Sequence, residues 1–249
     1  MIETLLALGL AAVHLFTSRI RTLTHIPRAA WLSFAGGISL AYVFLHLLPE
    51  IGEGQEVLVE RYDDGLFFGF GIYALALAGL LAFYILERLA EPEADAALES
   101  EPGGKAIGLF AVHLALHTVY SLIIGYLITH RPAPAPGEAV TSVGLYVFVA
   151  AMALHILVSD AGLSAKFGPV WHRVGRWVLA AAILVGFGLG MTTDLSESGV
   201  AALTAVLGGG VILNVLKEEL PKEKQSRLVP LLLGVVCLGG ILAVESVLI

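Results

Sequence analysis

The sequence predicts an all-α membrane protein of about eight transmembrane helices, arranged as a 3+2+3 inverted-repeat bundle that occupies 1–249 as a single domain. Three observations carry that expectation. The 249 residues are 57% hydrophobic and 14% charged, with a mean hydropathy of +0.87; soluble domains are nearer about 45–50% and about 25%. Apolar runs long enough for a hydrocarbon core of about 30 Å recur along the whole chain, and backbone polar groups in lipid are satisfied there only by helices or closed barrels. Finally, the basic residues fall in alternate connectors, as orientation in a membrane requires.

The apolar runs lie near 2–17, 30–49, 66–86, 107–129, 141–163, 174–192, 199–216 and 228–248. The first, MIETLLALGLAAVHLF, lacks a basic leader and a small-residue cleavage site, so it reads as a membrane helix and not a removed signal. Connectors between the runs are short and rich in Pro, Gly and charge. The longest, the variable loop 87–106, is acidic and Ala/Pro-rich and reads as disordered; RPAPAPGE at 131–138 is stiffened by its prolines. Arg19, Arg21, Arg28, Arg88, Lys105, Lys166, Arg173, Arg176, Lys217, Lys222, Lys224 and Arg227 occupy one alternate set of connectors, leaving Arg61 and Arg131 in the other. The positive set is expected on the cytoplasmic side, which places both termini extracytoplasmic and the 87–106 loop inside. The outward connectors carry an acidic excess, among them Glu50, Glu53, Asp63, Asp64, Glu138 and Asp194; such excess is most often a solvated rim.

The net charge of −7 gives no basic face for nucleic acid. A single cysteine, Cys237, permits neither an intramolecular disulfide nor a zinc-finger spacing. No Ser–Lys, Asp–Asp or His-Glu-x-x-His arrangement points to an enzyme. The runs GFGLG (186–190) and GGG (208–210) allow close helix packing, within one chain or between two copies in a homodimer. The lipid bilayer itself is the one partner that composition demands.

Two segments echo each other. GGISLAYVFLHLLPE (36–50) and GGGVILNVLKEELPK (208–222) place a Gly pair and a Leu-Pro at equal spacing, so that Pro49 matches Pro221. The first runs outward and the second inward in the expected topology. That is the relation of an inverted repeat, spans 1–3 against 6–8, with spans 4 and 5 enclosed, as in many secondary transporters.

Ionisable groups inside a membrane usually mark a pathway, a partner or a ligand. His113 and His117 lie four apart on the fourth span and share a face with Ser121. His155 lies at similar depth on the fifth, with Ser159 one turn on and Asp160 beside it. Imidazoles at matched depth suit a divalent transition metal. The candidate metal site is therefore His117 and His155, helped by His113, Ser121, Ser159 or Asp160. Asp160 follows His155 by five residues, about 140° around a helix, and does not share its face. His14 and His46, near span ends, read as polar packing groups, with His46 and Glu50 an alternative weak site at the outer mouth. His25, His130 and His172 lie in or beside connectors.

FLHLLPE in the second span, the His-bearing fourth and fifth spans and GGGVILNVLKEELP in the seventh resemble the Zrt/Irt-like (ZIP) family of divalent-metal transporters along essentially the whole chain. The resemblance implies eight spans, both termini outside, and transport of a divalent cation, zinc by default, between the fourth and fifth helices. It assigns His117 and His155 as first ligands. The sequence departs from the family pattern at Thr118 and Ser121, where Asn and an acid are expected, and at Ile156, Val158 and Ser159, where a second ligand, a proline and an acid are expected. A two-metal site does not fit; one weak site suited to passage does. The alternatives are a ZIP-like protein without transport, acting as a metal-binding, sensing or structural partner, and a b-type cytochrome, which needs two imidazoles facing one haem.

Overall fold

The computed structural model describes residues 1–23, 28–62, 69–97, 104–130, 142–219 and 228–248. These form helices α1 (Ile2–Leu23), α2 (Arg28–Tyr42), α3 (Leu48–Tyr62), α4 (Gly71–Ala97), α5 (Gly104–Leu127), α6 (Ser142–Val170), α7 (Arg176–Gly190), α8 (Glu197–Asn214) and α9 (Leu228–Leu248). No strand occurs among the described residues. Four continuous helical stretches, Ser33–Tyr62, Gly108–Leu127, Gly144–Gly190 and Glu197–Lys217, are long and apolar enough to cross a membrane. Shorter apolar helices cover Ile2–Thr17, Gly71–Leu86 and Leu228–Val244. Large apolar side chains face outward on α1, α4, α7 and α9, including Leu5, Leu77, Trp177, Leu233 and Val236.

Among the described residues, three π-helical segments interrupt the α-helices. Val43–Leu47 joins α2 to α3, Trp171–Gly175 joins α6 to α7, and Val215–Glu219 follows α8. The first explains why the helix does not stop at Leu48–Pro49, where the sequence predicts a span end. A proline ring collides with the carbonyl four residues back and donates no hydrogen bond. Widening the preceding turn, with the Leu48 amide bonded to the Val43 carbonyl, absorbs that defect and lets the helix run on to Tyr62. The α6–α7 junction turns at Gly168, whose φ of +47° and ψ of −120° suit glycine and precede Pro169. The connector 87–106 is also more helical than expected: α4 continues to Ala97 and α5 begins at Gly104, as its Ala, Leu and Glu content favours. Residues 98–103 lie outside the described residues, as do His25, Asp63, Asp64, the 131–138 connector and Pro221.

Backbone contact at glycine decides which helices pair. A Cβ on Gly37 of α2 would strike the Leu231 carbonyl of α9, and one on Gly234 of α9 would strike the Phe34 carbonyl of α2. Gly79 of α4 meets the Val206 carbonyl of α8, and Gly209 of α8 meets the Ala76 carbonyl of α4. Gly125 of α5 meets the Ile183 carbonyl of α7, and Gly186 of α7 meets that of Leu122. The first two pairs correspond residue for residue. One constant shift carries Phe34 and Gly37 onto Val206 and Gly209, and also carries the π segment Val43–Leu47 onto Val215–Glu219. A second carries Ala76 and Gly79 onto Leu231 and Gly234. α1 packs against α6 and α7, so α1, α5, α6 and α7 form one group, beside α2, α4, α8 and α9.

The close approaches predict opposite responses to alanine. Gly37→Ala and Gly209→Ala should each destabilise the protein by about 1–3 kcal/mol, the usual cost of overpacking. Gly9→Ala and Gly188→Ala, which open onto free space, should be neutral or stabilising by about 0.5–1 kcal/mol. Thermal unfolding of the purified protein in detergent measures both.

Candidate metal path between the helix groups

The buried histidines and the buried aspartate come from α1, α5 and α6, and buried hydroxyl and amide side chains come also from α2, α3 and α8. On α5, His113 and His117 stack with ring centroids 6.4 Å apart and planes 13° from parallel. Each ring is held by its own helix: His113 Nδ1 lies 3.0 Å from the Leu109 carbonyl and His117 Nδ1 lies 2.8 Å from the His113 carbonyl. A carbonyl only accepts, so both Nδ1 atoms carry hydrogen and both Nε2 atoms hold a lone pair. The Lys166 ammonium lies 3.5 Å from His113 Nε2, with Phe167 edge-on to the same imidazole at 5.1 Å. Phe83 abuts His117 edge-on at 5.3 Å.

On α6, His155 is buried with Nδ1 3.2 Å from the Asn214 side-chain nitrogen of α8. His117 and His14 lie within electrostatic reach of it. One and two turns toward the start of α6, Met152 and Phe148 line a small, mainly apolar cavity with Tyr42, Glu50, Thr204 and Val211. The Thr204 hydroxyl is buried without a hydrogen-bond partner.

Asp160 faces the other way, as its angular offset from His155 predicts. Its two carboxylate oxygens lie 3.1 and 2.9 Å from Nδ1 of His14 on α1, and Oδ2 is 3.3 Å from the Thr17 hydroxyl. Thr17 also donates to the Val13 carbonyl at 2.6 Å. Asp160 is thus committed to an imidazole and not directed at the His155 face.

The structure therefore gathers part of the predicted set. His113 and His117 stack, and His155 is within electrostatic reach of His117. Ser121 is buried on α5 and Ser159 half-buried on α6. Among the described residues, no three His, Cys, Asp or Glu side chains come together closely enough to hold a metal ion, so the six candidates do not form one cage. Sequence reasoning set His14 aside as a packing group and overlooked Asn214 and Lys166. The signal for Asn214 was present, since an amide in the middle of an apolar run demands a partner. His46 is half-buried beside the Tyr42 ring at 5.5 Å, while Glu50 lines the cavity. His130 pairs with Asp194 at 3.0 Å, and His172 Nε2 lies 3.3 Å from the Ser164 hydroxyl.

The buried acid–base pair predicts a stability signature. His14→Leu strands the Asp160 carboxylate and should cost about 3–5 kcal/mol, whereas His14→Leu/Asp160→Leu should lie close to wild type. Thermal unfolding of both variants in detergent tests this.

Comparison of the chain with family models, curated proteins and solved structures finds no match.

Proposed function

We propose that the chain conducts a divalent cation, zinc by default, across a membrane by way of the histidines between α5 and α6. The supporting observation is a file of polar groups along one helix of an otherwise apolar bundle. From Met152 at the Glu50/Thr204 cavity, through His155 with Asn214, to Lys166 with His113, the file runs about 21 Å at about 1.5 Å per residue. Intramembrane ionisable groups of this kind most often serve passage. Separate donors met in succession suit an ion that must both enter and leave.

The proposed topology has eight spans, with α2, its π segment and α3 forming the second. Both termini are extracytoplasmic and the connector after α4 is inside. The matching glycine contacts and matching π segments support an inverted repeat, with α8 the counterpart of α2 and α9 that of α4. The likeness of FLHLLPE and GGGVILNVLKEELP to ZIP transporters supports the same reading.

The second reading is a ZIP-like protein that binds or senses metal without moving it; the failure of three ligands to converge favours it. Reconstitution in liposomes loaded with a zinc-sensitive dye separates the two. Transport predicts saturable zinc influx that is lost in His117→Ala/His155→Ala. Folded wild-type protein that passes neither zinc, iron, manganese nor cadmium would sink the transport reading.

A further inference from the structure

His14 is 3% exposed and Asp160 1%, yet a path built on His117 and His155 uses neither. Their geometry is one-sided. Nδ1 of His14 is saturated by the carboxylate, while Nε2 is buried with no hydrogen-bond partner. A histidine serving only to pack has its buried polar atoms satisfied, and an uncapped nitrogen in a low-dielectric interior is costly. When a carboxylate accepts from Nδ1–H, the neutral ring presents its lone pair at Nε2. That is the arrangement in which histidines ligate metals, one nitrogen on the ion and the other on a carboxylate. His14 is also within electrostatic reach of both His117 and His155.

We propose that His14 is a third imidazole donor to the divalent cation, met in passage and not as a corner of one closed cage with His117 and His155, and that Asp160 is its positioning residue, fixing the ring and its tautomer without touching the ion. Both oxygens of Asp160 are engaged by His14, and Oδ2 also lies beside Thr17. Asp160 moves from ligand to orienting group, and α1 joins α5 and α6 in contacting the cation. The assignment rests on the cation reading of the site.

Two variants of the full chain in detergent test it. His14→Gln keeps an N–H donor for Asp160 but removes the imidazole; Asp160→Asn keeps an acceptor of the same shape but removes the charge. Zinc affinity by titration calorimetry should fall at least about 10-fold in His14→Gln and about 10–100-fold in Asp160→Asn. X-ray absorption of the zinc-loaded protein should show imidazole around zinc in wild type and in Asp160→Asn, and less of it in His14→Gln. Folded variants that bind zinc as wild type does, with the same imidazole signal throughout, overturn the proposal. Because binding is read apart from flux, zinc bound by wild type without uptake refutes transport alone and leaves His14 to be judged by affinity. A wild-type protein that binds no zinc overturns both.

Discussion

Reciprocal backbone contact at glycine is the constraint on which the arrangement depends. Lipid supplies no hydrophobic force between apolar helices, so close packing and hydrogen bonds must hold them together. Gly37 with Gly234, Gly79 with Gly209 and Gly125 with Gly186 bring helix backbones into direct contact. Such contact leaves almost no freedom to slide, because one residue of slip would put a side chain where a carbonyl now lies. The third pair fixes α5 against α7, and α1 packs on α6 and α7. The depth at which His14 meets Asp160, and at which His117 stands near His155, follows from contacts that contain no polar side chain.

Within that frame the polar atoms are placed by need of a partner. The Tyr120 hydroxyl reaches from α5 to the carbonyls of Val206 and Leu207 on α8, fitting against Gly210. Gln55 accepts from the Ile72 amide where α4 begins, 2.9 Å away. These bonds tie helices together and are complete. Incomplete ones are informative because unpaired polar atoms are expensive away from water. Among the described residues the buried side-chain atoms without a partner are His14 Nε2, Thr204 Oγ1 and Arg176 Nε. Arg176 lies against the Trp177 ring at the start of α7. Thr204 lines the cavity with Met152, one turn before His155 on α6, and His14 is within electrostatic reach of His155 and His117.

Helical character was legible because hydropathy averages over 20 residues and tolerates local error. Exact limits were not. Pro49 reads as a stop, and only a π turn, which local sequence does not announce, carries the helix past it. Gly37 and Gly209 were visible as an echo because GG and GGG stand out; Gly79 and Gly234 were not, being single glycines whose meaning comes from the helix opposite. The same holds in the site. His113, His117 and His155 stand out in apolar runs, and Asp160 was correctly seen to face away from His155. What it faces, His14, is 146 positions away, and no spacing rule reaches that far. Asn214 was hidden differently, inside a motif read as scaffold.

Charge decides what this set of donors can do. Two neutral imidazoles leave a divalent ion uncompensated in a medium that solvates it poorly, which argues against a resident metal. A carboxylate bound directly to the ion would cancel part of the charge but hold the ion fast. Asp160, one imidazole removed, lies between these limits. A charge one imidazole away would add a weaker attraction than direct contact, since Coulomb energy falls with distance, and would leave only nitrogen donors to be broken on exit. On the proposed reading, the carboxylate behind His14 would stand in for the acids that the ZIP-like pattern has at Ser121 and Ser159.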